Sequence, residues 1–149
     1  MTARSVVVGA DGRAKAYRPI PEPDRAAAIA AGLAAYEQGD FFIAHEHLEP
    51  AWMGTDDLVE RAWLQGLIKL AAAYVHGVRR NPTGIRRNLE GARSRLAEAA
   101  ASAPAVTAPD GSALDLARLV EAIDLRLADL AAHPGAPTLG APDLVRSAR

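Results

Sequence analysis

Cysteine is absent from the 149-residue chain, and with it go disulfide scaffolds, thiolate metal sites, cysteine nucleophiles and thiol redox switches. Aromatic residues reach only 5%, too few for a typical β-rich core. Lysine is scarce, with Lys15 and Lys69 alone among 17 basic residues. No charge sign prevails: 17 Lys and Arg face 18 Asp and Glu, a net charge of -1, so no domain-wide attraction to nucleic acid is expected. No uncharged apolar run reaches the ~18 residues of a membrane span, and no basic stretch followed by an apolar one opens the chain. A cytoplasmic location without a membrane partner is therefore expected. Against these absences, 50% of the residues are hydrophobic, and alanine, the best helix former, is the commonest. At this length folding buries roughly 68–70% of the unfolded surface, so one core needs no staples.

Proline and glycine punctuate the chain. Residues 1–22 read as an extended arm, with one short apolar run, Val6–Val8, then Gly9, Asp11 and Gly12, then Pro19, Pro21 and Pro23. A first helix is predicted over 23–38, because proline suits the first helical turn and Asp24 its dipole, with Gly39 as the left-handed stop. Asp40 is placed to cap a second helix over Phe41–Met53, and after Gly54, Thr55 to cap a third over 56–80. Ile85, Leu89, Ala92, Leu96 and Ala99 mark one face of a fourth helix. A loop follows over 102–111, and Leu116, Leu119, Val120, Ile123, Leu127 and Leu130 mark a fifth helix over 112–131. The expected fold class is all-α, an antiparallel helical bundle of about five helices over 23–133, with no strand beyond Val6–Val8 and a C-terminal tail over 134–149.

Two helices carry polar groups where apolar ones would serve a core better. At about 100° per residue Phe41, His45, Leu48 and Trp52 share a face, with Glu49 on the same side. His45 and Glu49 are thus expected on the buried side. Pro50 has no N–H for the carbonyl of Glu46, which predicts a bend there. In the third helix Gln65, Lys69, Ala72 and His76 line up at spacings of four, three and four within an otherwise apolar circumference. A hairpin about Gly54 and Thr55 sets His45 opposite Gln65 and Glu49 opposite Arg61. Burying such groups unpaired costs about 1–3 kcal/mol each. A polar cluster of His45, Glu49 and Gln65, with Glu46 and Arg61 at its margin, is therefore expected between these helices.

The run Gly39-x-Phe41-Phe42-x-Ala44-His45-Glu46-x-Leu48-Glu49-x-x-Trp52, followed by Leu64-Gln65-Gly66-Leu67-Ile68-Lys69-x-Ala71-x-Ala73-x-x-His76, resembles the domain-of-unknown-function 309 family. Asn81, Gly84 and Leu89 fit its pattern as well, Pro50 and His47 depart from it, and the resemblance spans about residues 31–96. It implies a small all-α fold and no assigned activity.

Chemistry can be read only so far. His45-Glu46-His47-Leu48-Glu49 invites comparison with the HExxH zinc signature, but Glu49 stands where the second histidine belongs, so the zincin mechanism is not written here. No serine, threonine or cysteine has a place beside His45, so covalent hydrolysis is unsupported. His47 reads as a surface residue, and Trp52 and Trp63 as core. The ligand-binding residues expected are His45, Glu46, Glu49, Gln65 and His76. Arg79, Arg86 and Arg87, around a helix N-terminus, form an anion-binding candidate weighed against a solvated cluster. No metal site is assigned and no cofactor is expected. The main expectation is a binding or interaction module with an internal His/Glu/Gln cluster. The alternative is a small enzyme or metal-binding protein using His45 and Glu49. The apolar girth of the third helix points to a homo-oligomer, a small-molecule ligand is the other partner class, and nucleic acid is not expected.

Overall fold

Five helices follow the proline and glycine punctuation: α1 (Glu22–Glu37), α2 (Phe41–Met53), α3 (Leu58–Tyr74), α4 (Pro82–Ser102) and α5 (Leu116–Ala132). The computed structural model describes residues 6–8, 14–75 and 82–147. His76 and Arg79, two of the site candidates, lie outside the described residues. α1 ends as its glycine requires: Gly39 takes φ +83°, its N–H donates to Tyr36 O and the Asp40 N–H to Ala35 O. This is the paired bonding of a Schellman stop. Asp40 occupies the N-cap of α2, but its side chain makes no cap hydrogen bond.

α3 starts later than predicted. Asp57, not Thr55, is its cap and accepts from the Glu60 N–H at 2.9 Å, while Thr55 Oγ1 accepts from the Asp57 N–H. A carboxylate at this position satisfies an orphan donor and also suits the helix dipole. α3 closes at Tyr74, short of Arg80, with Val75 as C-cap. α2 runs through Pro50 without interruption.

The all-α expectation is corrected to a mostly helical fold with small sheets. Near the N-terminus β1 (Val6–Val8) and β2 (Ala14–Ala16) pair antiparallel. Farther on, β3 (Ala105–Thr107), β4 (Ala113–Asp115) and β5 (Arg146–Ser147) form an antiparallel sheet in the order β3-β4-β5. The sequence read the first of these as loop and the second as the start of the fifth helix. Three-residue strands carry too little alternation to register as a period. Asp110 makes the turn between them, its carboxylate accepting from the N–H and hydroxyl of Ser112. α5 begins only at Leu116, with Asp115 capping the Arg118 N–H.

Helices adjacent in the chain pack on one another, α3 lying against both α2 and α4. Glycines permit the close approach. A Cβ on Gly32 would stand 2.6 Å from Leu48 Cγ of α2, and one on Gly66 2.6 Å from Leu96 Cγ of α4. The α4 stripe is buried as read, Ile85, Leu89, Ala92, Leu96 and Ala99 all lying in the core. Trp63, Leu64, Leu67, Leu70 and Ala71 are buried within the single chain. The apolar girth of α3 that pointed to a homo-oligomer is thus covered by the chain's own helices.

Polar contacts tie down the segment after α5. Asp129 accepts from the Thr138 hydroxyl and from the Thr138 and Leu139 amides. The Thr138 hydroxyl first, then the Leu139 amide, hold its carboxyl below the usual carboxylate range. The Tyr36 hydroxyl donates to Pro142 O at 2.7 Å, and Arg146 bridges Glu37, Asp110 and Ser112. Among the described residues no helix is long and apolar enough to cross a membrane.

Candidate functional site

α2 buries one side only. Ala44, Leu48 and Ala51 are in the core, and Leu48 fills the space that Gly32 leaves. His45 and Glu49 stand at the rim of this face rather than inside it, their side chains 30% and 47% exposed. Positions one residue beyond Ala44 and Leu48 fall on the flank of the helix, so the interface with α3 does not enclose them. His45 Nδ1 lies 3.6 Å from Glu49 Oε2 and 4.0 Å from Glu46 Oε1, within ion-pair range but beyond hydrogen-bond length. Gln65 is half-buried on α3. Among the described residues nothing hydrogen-bonds its amide, so the expected three-membered network is not closed there.

Arg61 is turned toward the α2–α3 junction. Its guanidinium donates to Trp52 O at 2.9 Å and Thr55 O at 3.0 Å and lies 4.8 Å from the Trp52 ring centre. Burial lowers its pKa from the ordinary arginine value. Arg86 and Arg87 are exposed on α4, Arg86 pairing with Glu90 at 3.5 Å. This is the arrangement of a solvated helix surface. His47 is exposed as read.

What the sequence did not show is the groove on the outer side of α2. The Arg18 N–H donates to Met53 O at 2.7 Å, capping one of the free carbonyls at the end of α2. Ile20 packs against Gly54, where a Cβ would stand 2.8 Å from Ile20 Cγ1. Pro19 and Pro21 favour an extended backbone around it. Between this segment and α2 opens a cleft of about 360 Å³ lined by Arg18, Ile20, Glu46, Glu49, Pro50 and Met53. Two expected site residues, Glu46 and Glu49, thus share a cavity. His45 borders it through Glu49. The only local signal was Ile20, a lone large apolar residue between two prolines.

Two glutamates, an arginine and apolar residues line one concave, solvent-open place. Among the described residues no group of three His, Cys, Asp or Glu side chains converges as a metal cage would require.

Among curated proteins and solved structures none matches the chain. Residues 29–88, which contain α2, α3 and both groove carboxylates, match the sequence model of the family described as a domain of unknown function (DUF309).

Proposed function

We propose that this protein is a binding module whose ligand site is the groove between residues 17–21 and α2. The observation that carries the reading is the cleft itself, in which Glu46 and Glu49 from α2 face Arg18 and Ile20 from a segment far from them along the helix order. A thermal-shift screen of small metabolites and short peptides tests it, with each hit mapped by amide chemical shifts. Hits are expected to move the amides of Ile20, Glu46, Glu49 and Met53 and to bind at least tenfold more weakly to Met53→Trp, which fills the cleft. Leu125→Ser, on the exposed side of α5, is the control and leaves binding unchanged. Hits that map elsewhere, or that bind Met53→Trp as well as the wild type, overturn the reading.

A second reading, a small enzyme or metal-binding protein using His45 and Glu49, has one observation in its favour. The partly exposed imidazole stands 3.6 Å from a carboxylate one helical turn away, the spacing of two ligands or of a base and its orienter. Calorimetric titration with zinc separates it from the first: heat of binding that is lost in His45→Ala supports it, and the absence of any heat counts against the metal form.

A further inference from the structure

We infer that the α2 groove receives a basic, apolar-flanked peptide segment of a partner protein, an inference that rests on the binding reading above. The first ground is uncompensated charge. Glu22, Glu37, Glu60, Glu90 and Glu98 each have an arginine within ion-pair reach. Among the described residues Glu46 and Glu49 have neither lysine nor arginine, only His45. Both carboxylates line the cavity, with no lysine or arginine in ion-pair range among the described residues.

The second ground is the surface around them. Phe42, Glu46, Glu49 and Met53 recur at spacings of four, three and four and so share one side of α2. Phe42 is 58% exposed and Ile43, at the edge of the same side, 47%. The stripe alternates apolar, acidic and apolar groups over eleven residues of helix, about 16 Å. That length matches about five residues of extended chain. A lone ammonium or metal ion would use the carboxylates and leave Phe42, Ile43 and Met53 uncovered. Arg18 lines the opposite lip, and a guanidinium has donors that the carbonyl oxygens of a peptide accept. Pro50 contributes from the helix side: it gives no N–H to the carbonyl of Glu46. The surface accordingly fits a segment with arginine or lysine set between leucine-like side chains, cations on Glu46 and Glu49 and apolar groups on Phe42 and Met53.

The probe is the peptide acetyl-Leu-Arg-Ala-Leu-Arg-Leu-amide, titrated into the full chain at physiological salt and followed by amide chemical shifts. Shifts are expected at Phe42, Glu46, Glu49 and Met53, with affinity at least tenfold lower for Glu46→Gln/Glu49→Gln. The same peptide with glutamate in place of arginine is expected not to bind the wild type, and to bind Glu46→Arg/Glu49→Arg. Exposed side chains are exchanged in both variants, so the fold is retained and circular dichroism verifies it. No shift in the groove at millimolar probe, or equal binding by the glutamine variant, overturns the inference. If instead a neutral or acidic ligand from the screen above occupies the groove, the partner chemistry falls while the binding site stands. Failure of the Met53→Trp test removes the site itself.

Discussion

Arg61 joins α2 and α3 at their junction, and it is one of the few charged side chains in the core, 5% exposed. Counting positions about the hairpin set it opposite Glu49, but counting cannot see that the last carbonyls of a helix need donors. The guanidinium supplies them to Trp52 O and Thr55 O and lies over the Trp52 ring. Both bonds come from one nitrogen, Nη1, of a rigid planar group, whereas a lysine ammonium sits on a flexible stem. Arg61→Met is therefore expected to lower stability by about 1–3 kcal/mol, since buried acceptors lose their partner. Arg61→Lys should recover only part of the loss. Urea denaturation reads both, and an unchanged midpoint for Arg61→Met would show that those carbonyls find other donors.

Between elements, the spacing of α3 and α4 depends on a missing side chain. Alanine is favoured over glycine in a helix by about 1 kcal/mol, so Gly66→Ala ought to stabilise α3 taken alone. In the packed molecule its Cβ would meet Leu96 Cγ at 2.6 Å, with Leu96 itself fully buried, and overpacking of this kind costs about 1–3 kcal/mol. The clash wins, and Gly66→Ala is expected to destabilise. Gly91→Ala is the informative contrast. Its Cβ would meet Lys69 Cδ at 2.9 Å, part of a flexible side chain that can move aside, so this change is expected to be neutral or stabilising by up to ~1 kcal/mol. Thermal denaturation of the pair separates packing from propensity: equal behaviour of the two variants would refute the close approach at Gly66.

For the molecule as a whole, Tyr36, Phe41 and Tyr74 form the contact through which α1, α2 and α3 meet, with ring centres 5.2 and 5.8 Å apart. Burial favours both neutral phenols. It pushes Tyr74 from 10.0 up to about 12 and raises Tyr36 further. Groups whose native pKa is raised give their full stabilisation below the unfolded value and lose it as pH climbs through the native one. The fold is accordingly expected to be insensitive to these phenols below pH 10 and to weaken as pH rises from there toward 12 and beyond. Ionising Tyr36 would also withdraw the donor to Pro142 O that holds the C-terminal segment. Circular dichroism across this range tests the point, and Tyr74→Phe should shift the alkaline transition upward. A transition that ignores this substitution would place the alkaline sensitivity elsewhere.

Periodicity and punctuation by themselves determined the five helices described, the Gly39 stop and the buried stripe of α4. These rest on local physics: the 3.6-residue repeat, the conformations open to glycine and proline, and the cost of leaving helix ends unsatisfied. Tertiary structure alone decided the rest. β4 and β5 pair across some thirty residues, Arg61 chooses backbone carbonyls at the helix junction, and His45 lies at a rim because Leu48 and Ala44 take the space beneath Gly32. The groove exists only because the chain before α1 folds back, Arg18 bonding Met53 O and Ile20 resting on Gly54. Such contacts join residues distant in sequence, and each depends on where a backbone ends and what fills the gap beside it, which no local pattern records.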